Sequence, residues 1–174
     1  MATATDERLV QVRRRIDRIE QRAEVGAADV RSRMQHRARE LRDEQLATMI
    51  SVHRHAGAAE ETVEELATDV EIAEHRLAAE LADDRQTFTN AVEAELRGWD
   101  AYLDRMQAKA ATQTALARER AERAVGELRQ RRIAVAESLA DLRAATEDAW
   151  QGARSRVLAA LGELEQRADA FRNG

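Results

Sequence analysis

Four histidines, His36, His53, His55 and His75, are the side chains best suited to hold a metal or pass a proton in a chain without cysteine. His53-Arg54-His55 is the one close pair. With Glu60 or Glu61 a few residues on, it has the donor types of a metal site. Helical di-iron proteins place Glu three residues ahead of His. Here those positions hold Arg33, Ile50, Val52 and Ile72, so the motif is absent. Two solvated histidines at a turn need no metal, and neither a metal nor a cofactor is expected. There is no Gly-rich phosphate loop, nucleophile elbow or His-Glu-x-x-His motif. Carboxylates are plentiful. On the exposed faces of amphipathic helices, however, they lack the burial that would raise a pKa for acid–base work. The expectation is a protein that is not an enzyme and has no small-molecule substrate.

Trp99, Tyr102, Leu103 and Met106 share one helical face and form the sole aromatic cluster. They read first as a core plug where the seam is otherwise thin. The sharper reading makes Trp99, Tyr102 and Met106 a partner-contact patch, because tryptophan and tyrosine dominate binding hot spots. Trp150-Gln151-Gly152 matches the signature tripeptide of the small WxG-type secreted helical hairpins, which carry it at the bend. Only a short tail follows it in this chain, so the match is set aside.

These residues must be positioned by helices. The 174 residues include no proline and seven glycines, and 35% of them are charged. Alanine, leucine, arginine and glutamate dominate, and these are the strongest helix formers. The fold class is therefore all-α. Apolar residues recur at three- and four-residue steps: Leu9, Val12, Ile16, Ile19 and Ala23 early on, Val63, Leu66, Val70, Ala73 and Leu77 in the middle, and Val157, Leu161, Leu164 and Ala168 near the end. This is the seam of helices packed side by side through knobs and holes. Gly57 suits a helix C-terminus, and Ala111-Thr112-Gln113-Thr114 is the other poorly helical spot, where Thr112 and Thr114 are candidate caps. They cut the chain into nearly equal thirds. The expected architecture is one elongated domain, 1–174, forming an antiparallel three-helix bundle or coiled coil with helices of roughly 6–55, 60–111 and 115–172. Each would be about 50 residues and about 75 Å long. Thr87 to Asn90 and Gly98 are competing breaks that would give a kinked or four-helix variant.

Charge is laid out in blocks: net +4 over residues 1–42, −11 over 58–104 and +3 over 105–174. An acidic middle helix would lie antiparallel between two basic ones, and misaligned or parallel pairing would set like charges together. The layout also makes a candidate basic end from Arg13, Arg14, Arg15, Arg129, Arg131 and Arg132. Nucleic acid is not expected as a partner, since the net charge is −5 and the arginines are interleaved with acids.

No apolar run precedes the first charges, so a secretory signal is not expected. No window approaches the roughly 20 apolar residues that span a bilayer. Lack of cysteine fits a reducing, cytoplasmic location. The functional expectation is a structural or interaction protein, a self-associating helical-bundle scaffold or adaptor. The alternative is a peripheral amphipathic protein on a lipid or granule surface. It is disfavoured because the apolar stripe is narrow and poor in aromatics.

Overall fold

The computed structural model describes residues 4–54 and 59–172. Over them the chain is all-α, with six helices: α1 (Ala4–Ala23), α2 (Ala28–Arg54), α3 (Ala59–Glu80), α4 (Arg85–Ala111), α5 (Ala115–Ala144) and α6 (Trp150–Arg172). Each of the three long helices expected from the seam is divided: 6–55 at residues 24–27, 60–111 at 81–84, and 115–172 at 145–149. The expected break at 112–114 is present, whereas Gly57 lies outside the described residues.

The three additional breaks have separate causes. At the first, the backbone turns back through Val25 N–H to Arg22 O and Gly26 N–H to Ala23 O. A Cβ on Gly26 would stand 3.2 Å from both Leu81 and Val30, so the glycine lets this turn pack against its neighbours. At the second, Asp84 caps α4, accepting the Thr87 N–H at 2.8 Å and the Thr87 hydroxyl at 2.6 Å. The break expected near Thr87–Asn90 therefore falls one turn earlier. At the third, Ala145 leaves the helix with φ −67° and ψ 143°. The segment then re-enters a helix behind Thr146, Glu147 and Asp148, whose acids suit the positive start of α6. At the 112–114 break, Thr114 takes the N-cap position of α5 without a side-chain bond. The Thr112 hydroxyl instead donates to the Lys109 carbonyl, and Arg118 donates to that of Ala111. Gly98 breaks nothing and lies inside α4.

Contacts divide the chain into two compact units, one reaching to Gly98 and one starting at Trp99. In the first, α1, α2 and α3 pack mutually. Arg42 on α2 reaches Asp17 at 3.0 Å and Glu20 at 2.7 Å on α1, and Gln45, further along α2, donates to the Leu9 carbonyl nearer the start of α1, so these helices run antiparallel. The Glu20 hydrogen bond above all, with Asp17 adding to it, holds the Arg42 guanidinium above its usual pKa. Arg8 meets Glu64, and Arg15 and Arg18 meet Glu74, which sets α1 and α3 parallel. Leu9, Val12, Ile16, Ile19, Ala23, Met34, Ala38, Leu41, Val63, Leu66, Val70, Ala73 and Leu77 form one buried cluster between them. The acidic α3 thus borders the basic α1, but the two run parallel where the charge layout called for antiparallel pairing, because α1 turns back on α2 before α3 is reached. The start of α4 folds back antiparallel on α3, with Arg76 beside Glu95 and Ile72 beside Gly98.

In the second unit α5 and α6 form an antiparallel hairpin. Val125, Leu128, Val135, Leu139 and Leu142 are buried on α5. Trp150, Ala153, Val157, Leu161, Leu164 and Ala168 are buried on α6. Arg131–Glu163 at 2.7 Å and Arg167–Glu127 tie the two helices across the hairpin. The end of α4 joins this unit through Asp100, which accepts two hydrogen bonds from Arg132 at 2.8 and 2.7 Å.

Candidate interaction surface

The residues singled out in the sequence are distributed as follows. Trp99 is buried at 1% exposure, packed edge-on against Tyr102 at 5.5 Å between ring centroids. Tyr102 and Met106 are half-buried. The Arg172 guanidinium lies 5.5 Å from the Tyr102 ring centre, within cation–π range. Of the six arginines assigned to a basic end, Arg13, Arg14 and Arg15 belong to the first unit and Arg129, Arg131 and Arg132 to the second. Four of them meet carboxylates: Arg15 with Glu74, Arg129 with Asp104, Arg131 with Glu163 and Arg132 with Asp100. Arg13 and Arg14 are exposed and have no ion pair among the described residues.

His55 and the His53 side chain lie outside the described residues. His36 and His75 each sit one helical turn from a glutamate, Glu40 and Glu71. Among the described residues no group of three or more His, Cys, Asp or Glu side chains stands ready to hold a metal ion. Nor, among the described residues, is any helix long and apolar enough to cross a membrane.

Trp150 is the first residue of α6, at the bend of the α5–α6 hairpin, and is buried beneath Arg154, whose guanidinium lies 6.0 Å from its ring centre. The tripeptide that begins with Trp150 therefore does sit at a hairpin bend, because α6 supplies a second arm of 23 residues.

Two features escaped the sequence reading. One is a buried charge cluster. Arg76 donates to Glu80 at 3.1 Å and lies 3.8 Å from Glu95, while Arg33 reaches the other Glu80 oxygen at 3.2 Å. Glu95 is 2% exposed and Arg76 4%. Carboxylates are thus not confined to exposed faces, since α3 is buried on a second side that includes Ile72, Arg76, Ala79 and Glu80.

The other is an apolar cluster in solvent. Leu46, Met49 and Ile50 stand at three- and four-residue steps on α2 and are 54%, 38% and 55% exposed. Val10 on α1 is 50% exposed. The contacts Asp17–Arg42 and Leu9–Gln45 fix the α1–α2 register, which brings Val10 level with the Leu46–Met49 turn. Beneath it, Gln45 and Thr48 occupy buried positions where the seam calls for apolar residues. The sequence signal was available: these four apolar residues are left over once the seam has been threaded. A surface of this kind binds apolar groups and has no catalytic chemistry of its own. No family model matches the chain, and neither a curated protein nor a solved structure matches it.

Proposed function

We propose that the chain is a non-enzymatic structural or interaction protein, a helical-bundle scaffold or adaptor that associates with copies of itself. The observation that carries this reading is the exposed cluster of Val10, Leu46, Met49 and Ile50. Four apolar side chains gathered at one end of a helical packing unit lose unfavourable contact with water when a partner covers them. The all-helical architecture supports the same reading. Helices aligned by alanine-rich seams and cross-helix ion pairs extend readily into larger assemblies, because each added helix brings its own seam. On this reading the partners are proteins, beginning with the chain's own copies, and the setting is the cytoplasm.

Light scattering over a range of concentrations tests the proposal. The expected result is a mass above the 19.5 kDa of one chain that rises with concentration. A mass equal to one chain at every concentration ends the self-association reading.

A further inference from the structure

The exposed side of α1 carries a charge pattern arranged symmetrically about one apolar residue. Asp6 and Glu7 precede Val10 by four and three residues, and Arg13 and Arg14 follow it by three and four. Residues three and four apart on a helix are surface neighbours, so all five share a face centred on Val10. That face is a different one from the buried stripe of Leu9, Val12, Ile16, Ile19 and Ala23. A shallow groove is lined there by Asp6, Glu7, Val10, Gln11 and Arg14.

On the flank of α1 facing α3, arginines are used within the chain: Arg8 meets Glu64, and Arg15 and Arg18 meet Glu74. On the outer face, Glu7, Arg13 and Arg14 have no ion pair among the described residues. Their charges are available to another molecule.

We propose that this face is a self-association surface whose occupant is α1 of a second copy of the chain, packed antiparallel about a two-fold axis through Val10. The proposal rests on the self-association reading above and names its interface. In that arrangement Asp6 lies beside Arg13 of the second copy, Glu7 beside Arg14, and Val10 meets Val10. Each charge pair forms twice, as two-fold symmetry requires. A parallel contact at the same place stacks acid on acid and arginine on arginine, so the pattern selects one orientation. The neighbouring Leu46 and Met49 on α2 extend the apolar centre of the contact. An anionic lipid surface fits less well, because Asp6 and Glu7 would face its headgroups.

The test uses the full chain and two charge-reversed variants. R13E/R14E makes the face wholly acidic, and D6R/E7R makes it wholly basic. Each variant alone is expected to self-associate at least about tenfold more weakly than the parent chain, and an equimolar mixture of the two to recover association as a mixed dimer. Helical content by circular dichroism accompanies each measurement. Arginines near the start of a helix oppose its dipole. Should D6R/E7R fail to fold, R13E/R14E carries the test, since its substitutions are exposed and lie beyond the first turn. A parent chain that associates while R13E/R14E associates equally well overturns this interface and leaves the self-association reading standing. So does a mixture of two folded variants that stays monomeric. A parent chain monomeric throughout removes the reading itself.

Discussion

A Cβ added to Gly98 would stand 2.8 Å from Cγ1 of Ile72, closer than carbon atoms pack, so α3 and α4 meet at a point where only glycine fits. Two effects compete when alanine is placed there. Helix propensity favours alanine by about 1 kcal/mol. Overpacking costs about 1–3 kcal/mol, and Ile72, itself 6% exposed, has little room to retreat. G98A is expected to lower stability by about 1 kcal/mol net in urea unfolding. Combining it with I72A should cost less than the sum of the two single changes, because the clash is gone. A G98A protein as stable as the parent, or more so, refutes the close-contact assignment.

Gly126 is the control for that argument. It also sits inside a helix, α5, but nothing lies within 4 Å of the Cβ it would gain. Only backbone entropy and propensity remain, and both favour alanine. G126A is expected to raise stability by about 0.5–1 kcal/mol. A loss of stability would mean that the open space beside Gly126 is occupied by something in solution.

The contrast between these two glycines shows what periodicity conveys and what it does not. The buried residues of α1, Leu9 to Ala23, and of α6, Ala153 to Ala168, follow the seam read from the sequence. Packing against one side needs one stripe, and a stripe is visible in the order of residues. The helix breaks were less legible. Alanines let the seam pass through Ala27 and Ala149, both of which are exposed, while Trp150 takes the buried position beside the latter. Alanine suits either side of a helix, so it marks no boundary. Asp84 and Gly26 are punctuation of an ordinary kind, but neither interrupts the three-and-four spacing around it. Least legible was the second buried side of α3. It includes Arg76 and Glu80, whose burial depends on Glu95 arriving from α4 and Arg33 from α2. The exposed apolar cluster was hidden differently: Val10, Leu46, Met49 and Ile50 are apolar residues off the seam, and only the register of α1 on α2 brings them together.

The Arg76 cluster should behave as a matched unit. Replacing Arg76 by methionine keeps much of the volume but leaves Glu95 buried without the guanidinium beside it. Removing one partner of a buried pair costs about 3 kcal/mol, far more than the pair contributes when intact. R76M is therefore expected to be strongly destabilised in urea unfolding, and R76M/E95Q to regain a large part of the loss. A double variant no better than R76M would show that Glu95 does not depend on Arg76.

Asp84 links the α3–α4 turn to pH. The Thr87 hydroxyl, and after it the Thr87 backbone N–H, bond the ionised carboxylate and hold its pKa below the ordinary 3.8. The sign follows from this direction. A carboxyl group with a lowered pKa in the folded state stabilises the fold above its unfolded pKa, and that contribution is lost as pH falls through the folded value. Asparagine keeps the capping ability but cannot ionise. D84N should therefore melt slightly below the parent by a constant margin from neutrality down to about pH 5, and the margin should close below about pH 4. Because Asp84 is fully exposed, the margin should also shrink in high salt, which screens the charged part of the interaction. A difference between parent and D84N that persists unchanged at about pH 3 would assign the effect to amide geometry rather than to the ionised carboxylate.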